Sequence, residues 1–202
     1  MKKILLYIFA SLILYISGNS QGLGIDGAFN LSKVSGDPWG IRQKFSPGFQ
    51  IGIVSINNIM MGSFSDINMY SGICFNQKGF IHGDSNYTFH ANYLDIKSLY
   101  SLSYDYDNVS VFSSIGPYLS FGINARQVFS DSTVSITFGK NANYPPAFDI
   151  GASMNWGVMF SRYCISISYS MGLRTFFSPG IDSRENRQIC FHFSYLFWQY
   201  LE

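Results

Sequence analysis

The sequence predicts an all-β protein: an antiparallel up-and-down transmembrane β-barrel of about eight strands, preceded by a cleaved signal peptide. Three observations predict it. Apolar residues recur at every second position along most of the chain, which is the period of a strand. The faces opposite them carry small polar residues where a sheet facing water would carry long charged ones. Charged residues make up only 12% of the 202 positions while aromatic residues reach 18%, against a charged share of about 25% in soluble domains.

Lys2 and Lys3 precede an apolar stretch from Ile4 to Ile16, and Ser17, Gly18 and Ser20 follow. A positive n-region, an apolar core and small residues at the end are the parts of a secretory signal. The apolar stretch is shorter than the roughly 20 residues a helix needs to span a bilayer. Cleavage near Gln21 or Gly22 is therefore expected in preference to a retained anchor. The first cysteine is Cys74, so no lipid-modified cysteine stands at the cleavage region. The expected organisation is a signal peptide over 1–20 and one barrel domain over 21–202. Loss of Lys2 and Lys3 leaves 11 of the 13 basic residues against 12 acidic ones. Nucleic acid is then a poor partner, for want of a basic surface.

The strands follow in order. Leu23, Ile25, Phe29 and Leu31 lie opposite Gly24, Asp26, Ala28 and Asn30, and Phe49, Ile51 and Ile53 lie opposite Gln50 and Gly52. Met69, Ile73 and Phe75 oppose Asn68, Tyr70, Gly72, Cys74 and Asn76; Leu94, Ile96 and Tyr100 oppose Asp95 and Lys97. Val109, Val111, Ile115, Leu119, Phe121 and Ile123 alternate with Ser110, Ser114, Gly116, Ser120 and Gly122. Phe148, Ile150, Met154 and Trp156 alternate with Asp149, Gly151, Ser153 and Asn155. The last two are the most regular: Tyr163 to Gly172, and Ile189 to Phe197 with Cys190, His192 and Ser194 on its other face.

Periodicity alone does not say whether the apolar face meets a core or lipid, so a soluble lipocalin-like barrel competes. The polar face separates the two. It is built of Ser, Gly, Asn and Ala, which suit a narrow lumen, and its few charges, Asp26, Asp95, Lys97 and Asp149, never fall on the apolar side. A lipid-facing charge costs up to several kcal/mol, so this segregation is what a membrane barrel requires. The gaps also alternate: long at 32–47, 78–92, 124–146 and 174–188, shorter at 57–66, 105–108 and 160–162. Both termini fall on the short-turn side, as in bacterial barrels whose ends lie in the periplasm. Tyr100, Tyr104, Tyr106, Trp156, Phe160, Phe197, Trp198 and Tyr200 cluster at that edge, where an aromatic girdle belongs.

Six short segments, taken in order, resemble the PorT-like, porin-family outer-membrane β-barrel proteins of Bacteroidota. They are Gly27 to Gly36 (GAFNLSKVSG), Pro47 to Ile53 (PGFQIGI), Phe75 to Gly79 (FNQKG), Asn92 to Ile96 (NYLDI), Ile115 to Leu119 (IGPYL) and Phe193 to Phe197 (FSYLF). The resemblance implies a barrel in the bacterial outer membrane and, for some members, a link to secretion or gliding machinery. The chain departs from such barrels by running on past Phe197 to Glu202 instead of stopping at an aromatic residue.

Three functions are compatible with this pattern. A non-enzymatic structural, binding or assembly role through long loops leads, and a narrow porin-like channel is the alternative. Catalysis is third. Nucleophilic catalysis needs a Ser or Cys, a base and a group orienting that base, and a lumen serine could fall near His192, but no local catalytic motif is present. His82 and His90 share a loop with Asp84 and read as solvated residues before metal ligands. No cofactor is expected. Asp26, Asp95, Lys97, Asp149 and His192, with Arg174 nearer the rim, are expected to form a lumen polar network that fills the barrel, since buried charges survive by pairing. Cys164 and Cys190 share lumen parity on adjoining strands; two free thiols are expected before a disulfide. The expected partners are outer-membrane lipid and proteins at the surface or periplasmic face, with the barrel itself a monomer.

Overall fold

A computed structural model describes residues 22–35, 43–62, 65–82, 87–136, 138, 147–173 and 185–199. The expected signal peptide, Arg174 and Tyr200 lie outside the described residues. The strands are β1 (Gly22–Ser35), β2 (Gln43–Met61), β3 (Asp66–His82), β4 (Thr88–Tyr106), β5 (Val109–Val128), β6 (Thr133–Ile136), β7 (Phe148–Phe160), β8 (Tyr163–Gly172) and β9 (Glu185–Gln199).

Eight of them close a ring. Each pairs antiparallel with its neighbour in the chain, β5 pairs β7, and β1 pairs β9 to complete the circle. The short β6 stands outside the ring and, among the described residues, pairs with Ala125–Val128 at the far end of β5. Closure leaves the ring no unpaired edge, which is the condition for a sheet to sit in lipid. The two tightest connections, 107–108 and 161–162, each use one residue at positive φ: Asp107 (51°) and Ser161 (53°). Asp tolerates that conformation better than most residues, because its short side chain bonds locally.

Polarity is inverted relative to a soluble barrel. Ile25, Ile51, Ile53, Ile165 and Phe193 are all more than half exposed, whereas Asp26, Asn30, Asn76 and Asp95 are buried within the lumen. This excludes the lipocalin-like alternative, whose apolar residues would fill the inside. The girdle residues Tyr100, Tyr104, Tyr106, Trp156, Phe160, Phe197 and Trp198 all face outward at the short-turn end. Small residues make room within: a Cβ added at Gly151 would run into the Tyr118 ring, which lies across that position.

The gap expected at 78–92 is a correction. β3 continues to His82 and β4 begins at Thr88, so only 83–87 separates them. The strands outrun their apolar pattern because they rise above the lipid belt. There the outward residues become polar: Gln77 donates to Asn92 (3.4 Å) and Asn92 to Asn124 (2.7 Å) around the outside of the ring. His82 and His90 are likewise strand residues and not loop residues. His82 stacks on Tyr87 at 4.8 Å, and His90 pairs in register with Arg126 on the outer face.

Phe193 sits midway along the lipid-facing part of β9. Phe193→Arg is expected to cost about 2–4 kcal/mol. Phe193→Ala should cost far less, because the outer face has no packed core to lose. Urea unfolding in lipid vesicles, followed by the mobility shift between folded and unfolded barrel on unheated gels, measures both.

Candidate functional site

The inward positions of all eight ring strands build the site, from β1 to β5 and from β7 to β9. Each strand sends every second residue into the lumen, and the register stacks these residues in layers. Five of the expected lumen residues, Asp26, Asp95, Lys97, Asp149 and His192, are there and buried. Arg174 is the sixth and falls outside the described residues. They do not form one cluster but three.

The first cluster surrounds Asp26 on β1. Its carboxylate accepts from His192 Nδ1 (2.9 Å), Gln50 Nε2 (3.0 Å) and Ser194 Oγ (2.7 Å). Gln50 Oε1 in turn accepts from Lys97 Nζ at 2.9 Å. His192 Nε2 meets Ser168 Oγ at 2.9 Å. The unnamed serine that lumen parity could bring to His192 is therefore Ser168, and Ser168, His192 and Asp26 stand in the order of a catalytic relay.

The second cluster centres on Asp95 and Lys78. Their ion pair is 3.1 Å long, and both side chains are at least 94% buried. Lys78 also donates to Ser120 Oγ (2.7 Å) and lies 4.9 Å from the ring centres of both Tyr93 and Tyr118. Asp95 accepts from Asn76 (2.7 Å), which is also bonded to Asn30 and Gln188. The third cluster is Asp149, which accepts from Asn186 Nδ2 (2.8 Å) and Tyr118 Oη (3.3 Å).

An apolar plug lies beyond these clusters toward the loop end. Phe80, Phe89, Ala91, Tyr93, Ala125 and Ile136 pack together, with Phe80 and Phe89 stacked at 5.2 Å. The lumen is thus filled twice over, by a hydrogen-bonded layer and by an aromatic one.

Lys78, Gln50, Asn76, Tyr118 and Gln188 were not among the candidate residues. The signal for most of them was parity. Asn76 and Gln50 sit on the polar faces, and Lys78 continues the face of Cys74 and Asn76 but falls in a stretch that reads as loop. All three cysteines are free and buried. Cys164 is opposite Ser194 and Cys190 opposite Ser168, so the two thiols are offset along their hairpin and do not face each other. No group of metal-ligating side chains occurs among the described residues.

Ring, apolar belt and self-filled lumen define an eight-stranded transmembrane β-barrel of the kind bacterial outer membranes contain. No protein-family model matches the sequence, and no curated protein matches it. Among the solved structures that overlap the chain are three outer-membrane proteins, each a loose match. Ail, the attachment invasion locus protein of Yersinia pestis, solved with the heparin analogue sucrose octasulfate, is 13% identical with a TM-score of 0.44, covering 87% of this chain and 97% of Ail. The outer membrane protein OprG from Pseudomonas aeruginosa is 10% identical with a TM-score of 0.45, covering 89% and 98%. The outer membrane protein AlkL in lipid bilayers is 16% identical with a TM-score of 0.30, covering 92% and 94%. Overlap this loose carries no inference about ligand or activity, which must come from this chain's own residues.

Removing one member of the Lys78–Asp95 pair leaves a charge stranded in the lumen. Lys78→Met should destabilise the barrel by about 3–5 kcal/mol. The double replacement Lys78→Met with Asp95→Leu should recover most of that loss. Urea unfolding of the two variants side by side tests it; equal destabilisation would show that the pair is not what holds this layer.

Proposed function

We propose that the chain is a bacterial outer-membrane β-barrel whose ring is a rigid mount, with a non-enzymatic structural, binding or assembly role exercised through its loop-end surface. The observation that carries this reading is the blocked lumen. Among the described residues, the Lys78–Asp95–Asn76 layer and the Phe80–Phe89–Tyr93 plug fill the lumen, which favours contact with other molecules at the outside and the ends.

The placement in the outer membrane belongs to the same proposal. It rests on the secretory pattern of residues 1–20, on the apolar belt, and on ring closure, which together suit a chain exported and then inserted as strands. Kinship with PorT-like proteins, and through it a link to secretion or surface machinery, rests on the ordered segments from Gly27 to Phe197. The loop end supplies the surface: β3, β4 and β5 rise past the belt, and β6 extends that wall with Phe129 and Val134 exposed on it. In this reading Ser168, His192 and Asp26 fill space and satisfy one another without performing catalysis.

Native purification of the tagged protein from mild-detergent outer membranes tests the proposal. Stoichiometric co-purifying surface or periplasmic proteins are expected, together with no steady conductance in planar bilayers. A barrel that purifies alone and conducts would replace this reading with the narrow channel.

A further inference from the structure

Among the described residues, the lumen is filled toward the loop end by the aromatic plug, whereas spaces remain toward the short-turn end. At the short-turn end a vestibule of about 290 Å³ is bordered by Asn68, Ser103 and Ser110. The same three side chains border a deeper cavity of about 30 Å³, which also touches Cys164. Val54 and Tyr70 are shared between that cavity and a third, of about 20 Å³, at the centre of the barrel. Three spaces therefore stand in file, each sharing a wall with the next.

The deepest space touches Asp26, Lys97, Ser168 and His192. It is large enough for a water, which needs about 10–15 Å³. Asn155 borders it too, is only 5% exposed, and its Oδ1 has no hydrogen-bond partner among the described residues. A buried acceptor left over at the wall of a polar, water-sized cavity is what an internal water satisfies. Beyond this space, among the described residues, the Lys78–Asp95 layer and the aromatic plug follow.

We propose that the lumen is a one-ended water path, entered from the short-turn end, that delivers water to a site between Asn155 and the Ser168–His192–Asp26 relay. The ligand is water and the protons it carries. The relay then exchanges protons with the compartment at the short-turn end and not with the loop side. This goes beyond the mounting role proposed above and does not depend on it, since it concerns the inside of the ring and not its outer contacts.

The native cysteines report on the path. Cys164 borders the middle cavity and Cys74 the deepest, while Cys190 is fully buried and borders none of the three. Full-length protein in detergent micelles is treated with methylmercury chloride, a small neutral thiol reagent, and each thiol is followed by mass spectrometry. The expected order of rates is Cys164, then Cys74, then Cys190. Asn68→Trp, which crowds the vestibule, should slow Cys164 and Cys74 by about tenfold if entry is through the path and not by local unfolding. Phe89→Ala, which loosens the loop-end plug, should leave both rates unchanged. Gly72→Val fills the deepest cavity, where an added Cβ meets its nearest neighbours at an ordinary 3.5 Å; it should slow Cys74 and spare Cys164. Cys74 as slow as Cys190 in the unaltered protein, or acceleration by Phe89→Ala, would overturn the proposal, and so would indifference to both Asn68→Trp and Gly72→Val.

Discussion

Asp26 joins three strands at the place where the ring closes. It stands on β1, accepts from Gln50 on β2, and accepts from His192 and Ser194 on β9. The β1–β9 pairing joins the first strand to the last and closes the curled sheet into a barrel. Hydrogen bonds to an ionised group are worth about 1.5–3 kcal/mol each, so this carboxylate is a clamp across the seam. Burying it without those donors would be costly. The clamp and the closure therefore require each other.

From that requirement the layering follows. Lipid outside forces every polar side chain inward, and a ring of eight strands is too narrow to hold bulk water around them. Each inward polar group must then find a protein partner or a trapped water. Carboxylates are met by ammonium, amide, imidazole and hydroxyl donors from facing strands, with Asn76 bridging β3 to β1, β4 and β9. Above the lipid belt the constraint relaxes. There the outside can be polar, as at Gln77, Asn92 and Asn124, and the inside can be apolar, as at Phe80 and Phe89. The chain thus inverts its polarity along single strands such as β4, at the level where lipid gives way to water.

That inversion sets what the sequence could disclose. Strand number was legible because β8 and the Ile189–Phe197 stretch of β9 alternate without a break. The upper parts of β3 and β4 were not, since Gln77, His90 and Asn92 break the outward apolar pattern while keeping the ladder. Asp26, Asp95, Lys97, Asp149 and His192 were legible from their charge and parity. Which of them meet was not, because partners such as Asn76 and Gln188 are 112 positions apart and are brought together only by closure. Parity put the uncharged amides Asn30 and Asn76 on the lumen face, but that they bond each other at 3.0 Å is visible only once the register is known.

The Ser168–His192–Asp26 arrangement shows why hydrogen-bond geometry and catalysis are separate matters. Its two distances, both 2.9 Å, suit general-base activation of a hydroxyl. An acyl-transfer site also needs a cleft for the acyl group and donors aimed at the developing oxyanion. Ser168 is only 3% exposed, and the space beside it has room for a water and not for an ester. The same closure that brings these three side chains together from β1, β8 and β9 also shuts them off from any larger molecule. A narrow polar lumen rich in serine will produce such a relay whenever a histidine and a carboxylate face inward on neighbouring strands. What it can handle there is limited by the size of the path that reaches it.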